Sequence, residues 1–268
     1  MTRCFALILA LFTALASAGQ EDAQNIVQRS VQANNKDWLA APAYSYLERD
    51  VLAGGTRTSE VTMILGSPYS RILAVNGKTL TPAEQAQEQQ RLQNTTAQRC
   101  AESKQVREER IAKYENDRRR DHLLMDEMIK AFNFKLVREQ KSGALDVYVL
   151  QATPRPEYQP PSKETKVLTG MQGELWIEKQ TFHWMKVEAE VIHPVSIMGF
   201  LARVEPGTRF ELKNMPVGNG VWLPEHFAMH SLAKILFFYT SKNQEDETYF
   251  DYKGIRNEAA ACGRPSPP

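Results

Sequence analysis

Basic and acidic residues almost cancel in this 268-residue chain, with 33 Lys and Arg against 32 Asp and Glu. Without a positive surplus there is little to displace counterions from phosphates, which argues against a nucleic-acid partner. No Cys-x-x-Cys pair occurs, so structural zinc and thioredoxin-like chemistry are not expected.

The first predicted element is an address. Arg3 precedes an apolar run from Cys4 to Leu15, broken only by Thr13, and Ala16-Ser17-Ala18 is a small-x-small cleavage pattern. Residues 1–18 therefore read as a signal peptide. The run is shorter than the roughly 20 residues a membrane-crossing helix needs, so peripheral or no membrane association is expected of the exported, periplasmic chain.

Residues 22–40 read as a helix, with Ile26, Val27, Val31 and Trp38 near helical spacing and Pro42 closing it. Strands are predicted over 43–52, 59–65 and 69–75, punctuated by Gly54-Gly55 and by Asn76-Gly77, a strong tight-turn signal. Residues 82–131 interrupt them with a highly charged helical stretch. Pro82 follows Thr81 at a first helical position, and Leu124, Met125, Met128, Ile129 and Phe132 make an apolar stripe. Its Arg99–Arg120 portion suits a solvated arm laced with Glu/Arg pairs; a docking surface for anionic headgroups or an acidic partner is the alternative.

Strands resume at 132–137 and 145–150, followed by a Pro-rich connection over 153–166 that forbids regular pairing. Further strands are predicted over 173–177, 182–192, 209–213, 221–230, 234–241 and 247–252, ahead of a disordered tail at 255–268. The fold class is mainly β (α+β), a single domain over 19–254 with about ten antiparallel strands, an N-terminal helix and a long helical insertion. Two apolar sets on opposite faces, Ile235, Phe237 and Tyr239 against Leu236 and Phe238, and Met185, Val187, Ala189 and Val191 against Phe182 and Trp184, fit a sheet curled into a half-barrel. An ordinary two-layer core would also accommodate them.

Tyr148-Val149-Leu150-Gln151-Ala152-Thr153-Pro154-Arg155, then Gly173-Glu174-Leu175-Trp176-Ile177-Glu178-Lys179 and the strand from Phe182, with the leader and the N-terminal helix, resemble the LolA/LolB-like family of lipoprotein carriers and outer-membrane lipoprotein-sorting proteins. The resemblance implies an incomplete β-barrel whose helices close its mouth over an apolar cavity for acyl chains. The expected function is a periplasmic, non-enzymatic lipid or lipoprotein carrier; a sensor or interaction protein using the charged insertion on an envelope protein partner is the alternative. The candidate cavity residues are the large side chains on predicted strands: Tyr44, Tyr46, Met63, Leu65, Tyr148, Trp176, Trp184, Phe237 and Tyr239.

No catalytic residue, cofactor or metal is expected. Gly-x-Ser-x-Gly is absent, and His226 and His230 share a strand face but lack a His-Glu-x-x-His context. Cys100 and Cys262 are free to pair in an oxidising compartment, although Cys262 sits in a tail with nothing to bury, and the sequence leaves that bond open.

Overall fold

The computed structural model describes residues 22–197, 202–235, 239–255 and 262. The expected signal peptide, most of the expected tail, and Phe237 lie outside them. Among the described residues no helix is long and apolar enough to cross a membrane.

Helix α1 (Ala23–Ala40) starts where the Asp22 carboxylate accepts the Gln24 N–H, and a 3₁₀ turn at Ala41–Ala43 containing Pro42 ends it. Four strands follow as a meander: β1 (Tyr44–Leu52), β2 (Gly55–Ile64), β3 (Ser67–Val75) and β4 (Lys78–Thr79). Asn76 and Gly77, both at positive φ, turn β3 into β4, and Asn76 Oδ1 also accepts the Thr56 N–H.

The charged insertion forms two helices meeting at Glu102–Ser103. In α2 (Pro82–Ala101) a reciprocal Thr81/Glu84 capping box and Pro82 set the start; α3 (Lys104–Ala131) is capped by Ser103. Arg99 and Arg110 donate to the carbonyls of Ile64, Leu65, Ser67 and Pro68, so the α2–α3 corner grips the β2–β3 turn. The free edge of β3 is also covered by α2: Glu88 accepts the Ile72 N–H and Arg91 donates to the Ser70 carbonyl. Much of the expected charged surface is therefore spent on holding strand ends. The rest forms the expected pairs along the helix, among them Lys104–Glu108, Lys113–Asp117 and Arg118–Glu115.

The remaining strands are β5 (Phe132–Ser142), β6 (Leu145–Pro154), β7 (Met171–Glu178), β8 (Trp184–Val191), β9 (Val195–Ser196), β10 (Ala202–Val204), β11 (Arg209–Gly218), β12 (Val221–Ile235) and β13 (Tyr239–Gly254). All ladders are antiparallel, in the order β4-β3-β2-β1-β13-β12-β11-β8-β7-β6-β5, with β9 and β10 branching from β12. The edge strands β4 and β5 do not pair with each other, so the barrel is incomplete. Running from the β2–β3 turn to the start of β5, α3 is about 42 Å long at 1.5 Å per residue and spans the gap.

Two expectations change. The stretch read as one strand over 234–241 is broken, because β12 continues to Ile235 and β13 begins at Tyr239, which pairs with Ile235. Trp184 and Val187 do not oppose one another: a bulge pairs Ile177 with Trp184 but Trp176 with Lys186, and both residues join one core. That core unites Ile26, Val27 and Val31 of α1 with Tyr148, Leu150, Leu175, Ile177, Phe182, Trp184 and Val187. Fully burying Ile26 and Val27 contributes about 1.5 to 3 kcal/mol each. The polar residues on the same helix face are satisfied: Ser30 donates to the Val27 carbonyl (2.8 Å) and accepts the Trp184 indole N–H (2.9 Å), and Asn34 donates to the Ser30 carbonyl (2.8 Å).

Cys100 and Cys262 form a disulfide, which ties the end of α2 to the C-terminal segment.

Candidate functional site

The helix-bearing face of the sheet has two chemically different halves. Over β5–β8 and β11 it is apolar. Period-two alternation places Leu150, Leu175, Val187 and Leu212 in one cross-strand row against α1. Phe134, Leu136, Phe210 and Leu212 pack against this core and are partly buried, as are Met125, Met128 and Ile129 from the last turns of α3.

Over β1, β2 and β13 the same face is polar and aromatic. Alternation along β1 aims Tyr46, Glu48 and Asp50 at one side, and register sets Glu48 opposite Tyr249 and Asp50 opposite Glu247. Across β2, Glu48 faces Ser59 and Asp50 faces Arg57. The Tyr46 ring lies 5.8 Å from that of Tyr249 and 5.3 Å from that of Tyr252. Glu48, Asp50 and Glu247 bring carboxylate oxygens within 4.8 Å of one another. Burial first, then the charges of Asp50 and Glu247, push the Glu48 carboxyl up to about 7; Arg57 opposes them. Burial likewise holds the hydroxyls of Tyr46, Tyr249 and Tyr252 well above the ordinary phenol range, Tyr249 also by donating to Glu247.

The opposite face of the sheet carries a hollow of about 560 Å³ between two rows of polar side chains. One row runs across six strands as Gln151, Glu174, Glu188, Glu211, Ala228 and Asp246. Its chemistry suits polar groups and offers little to a hydrocarbon chain.

The structure distributes the candidate residues over these regions. Tyr148 and Trp184 meet in the core beneath α1, 9% and 2% exposed. Tyr46 belongs to the polar half; Tyr44 opens β1 opposite Gly254, and Met63 is two residues beyond Val61, the partner of Tyr46. Leu65 sits in the β2–β3 turn at φ 49°, its carbonyl accepting from Arg110. Trp176 is on the other face, between Arg138 and Lys186 at 5.5 and 5.4 Å. Tyr239 opens β13, and Phe237 is outside the described residues. His226 and His230 do share a face, but four strand residues separate them by about 13 Å, too far to hold one ion. His226 instead contacts Asp246 (3.3 Å) and Glu211 (3.8 Å).

Glu48, Asp50 and Glu247 were not among the expected site residues. The signal was present as Tyr-x-Glu-x-Asp on one strand and Glu-x-Tyr on another, but only the pairing of the first strand with the last brings them together.

The architecture is that of an open antiparallel barrel with helices across its inner face. No family model and no curated protein matches the sequence. Among solved structures, the chain is similar to a LolA superfamily protein from Nitrosomonas europaea, with 14% identity, 88% of this chain and 94% of that chain covered, and a TM-score of 0.32. It is similar to an outer membrane lipoprotein-sorting protein domain from Vibrio parahaemolyticus, with 11% identity, 85% and 93% covered, and a TM-score of 0.33. A third likeness is to the Pseudomonas aeruginosa MucA/MucB complex, with 12% identity, 85% and 92% covered, and a TM-score of 0.25. Likenesses of this size carry nothing about ligand or partner.

Proposed function

We propose that this chain is a non-enzymatic lipid- or lipoprotein-binding protein of the cell envelope, exported to the periplasm by its leader. The observation that supports this reading is the border of partly buried apolar side chains around the core beneath α1. Leu136 and Leu212 end the row of Leu150, Leu175 and Val187, Phe134 and Phe210 end the next row on the same face, and all four are partly buried. An acyl chain laid there, with Tyr148 and Trp184 at the closed end, would gain about 0.8 kcal/mol for each CH₂ it buries. The test is gentle purification followed by lipid mass spectrometry, with titration of a dansyl-labelled fatty acid. Saturable probe binding that weakens at least tenfold in Phe210→Asn and Leu136→Asn is expected. No co-purifying lipid and no saturable binding would reject the proposal.

A second reading, an interaction protein using the insertion, is favoured by one observation: α2 is a well-capped helix of 20 residues with none buried. Deleting the whole insertion would not test it, because Met125, Met128 and Ile129 of α3 pack on the core. Charge reversals on the exposed face of α2, followed by pull-down from envelope extract, separate the two readings. Capture lost with acyl binding retained supports the second.

A further inference from the structure

We propose that Glu48, Asp50 and Glu247, together with the Ser59 hydroxyl, bind a hard divalent cation, calcium by preference, between β1, β2 and β13. Three independent features of the fold converge there, and none depends on the acyl site.

The first is geometry. Calcium holds oxygen ligands at about 2.3 to 2.6 Å, so two of its ligands lie no more than about 5 Å apart. The three carboxylates offer oxygens within 4.8 Å of one another. They come from two adjacent strands whose register is continuous from Leu47 to Asp50, so the spacing is built into the sheet.

The second is charge and donor type. Arg57 takes one oxygen of Asp50, with Nη2 at 2.6 Å and Nε at 3.1 Å from Oδ2. The Tyr249 hydroxyl takes Glu247 Oε2. Among the described residues, Asp50 Oδ1, Glu247 Oε1 and both oxygens of Glu48 remain for a ligand. Three carboxylates against one guanidinium leave a deficit that a divalent ion would balance. All donors are oxygen, which suits calcium and lacks the nitrogen or sulfur that zinc prefers.

The third is an unmet polar group. Ser59 is 1% exposed, and its Oγ has no hydrogen-bond partner among the described residues. It stands directly across β2 from Glu48 on the same face. A buried hydroxyl without a partner forfeits the hydrogen bonds it would make in water. A cation held by Glu48 would give that oxygen a role.

The test uses the full exported chain, stripped with EDTA and dialysed free of chelator. Terbium is the optical probe, since Tyr46 and Tyr249 lie beside the carboxylates and can sensitise it; calcium then competes, and calorimetry with calcium chloride gives the constant. Expected are one saturable site with Kd on the order of 10⁻⁴ to 10⁻³ M, at least a tenfold loss in Asp50→Asn and in Glu247→Gln, and no change in Glu108→Gln on the exposed side of α3. Should either of the first two fail to fold, Glu48→Gln carries the test. Without calcium it should melt at or above the native chain, and calcium should raise the Tm of the native chain only. No saturable calcium response, or an equal response in native chain and Glu48→Gln, would overturn the proposal.

Discussion

Asp37, near the end of α1, and His183, just before β8, meet inside the protein with Nε2 3.3 Å from Oδ2; their side chains are 6% and 9% exposed. The contact does more than join two elements. Asp37 Oδ1 also accepts the Trp222 backbone N–H at 3.1 Å, and the His183 ring stacks on the Trp222 indole at 5.5 Å. One carboxylate thus anchors the helix to the start of β12 through Oδ1 and stands against the loop before β8 through Oδ2. Asp37→Ala removes one partner of a buried ionisable pair and orphans a strand N–H. Urea unfolding should show a loss of about 1 to 3 kcal/mol from the orphaned N–H, and an unchanged midpoint would contradict the assignment.

His122 predicts a pH effect. It stacks on Trp38 at 4.5 Å and its Nε2 bonds Asn35 Oδ1 at 2.7 Å. Burial lowers its pKa below the ordinary 6.5 and the nearby Arg118 adds to this, while Asp126 opposes. The unfolded chain therefore binds the proton more readily than the folded one. The contribution is present above about pH 6.5 and lost as pH falls through and below that value. His122→Gln should flatten the slope of Tm between pH 7 and 5 relative to the native chain, and an unchanged slope would contradict the assignment.

The Cys100–Cys262 bond closes 162 residues of sequence separation. The chain-entropy relation caps its benefit at about 5 kcal/mol. Reduction with dithiothreitol, or Cys100→Ser with Cys262→Ser, should lower the urea midpoint without changing the far-ultraviolet dichroism; collapse of the sheet signal would show that the bond is needed for folding.

Gly173 has another kind of intolerance. A Cβ there would stand 2.2 Å from the backbone oxygen of Glu188 on the neighbouring strand. Backbone cannot swing aside as a side chain can, so Gly173→Ala should cost about 1 to 3 kcal/mol, toward the upper end. Thermal unfolding beside Gly54→Ala, whose Cβ meets open space, checks it.

Local chemistry made much of this fold legible. Pro82 after Thr81, Asn76-Gly77, and the 3.6-residue recurrence of Ile26, Val27 and Val31 mark a cap, a turn and a buried face from short-range rules alone. The missed features depend on distant pairings. The bulge that brings Trp184 to the same side as Val187 exists only against β7, and alternation read along one strand places them apart. The carboxylate cluster needs β13 beside β1, and nothing near Glu48 in the sequence speaks of Glu247. For the same reason the packing of Tyr148 and Trp184 under α1 shows only once the strands are paired.

The pairing of β1 with β13 has one more consequence. In the strand order, β13 is the seam between a ribbon made of β4, β3, β2 and β1 and a second made of β12, β11, β8, β7, β6 and β5. Until the final sixteen-residue strand arrives, these are two separate sheets with raw central edges. The two ribbons can therefore be joined into one sheet only once β13 has been made, however early the segments before it find their own partners.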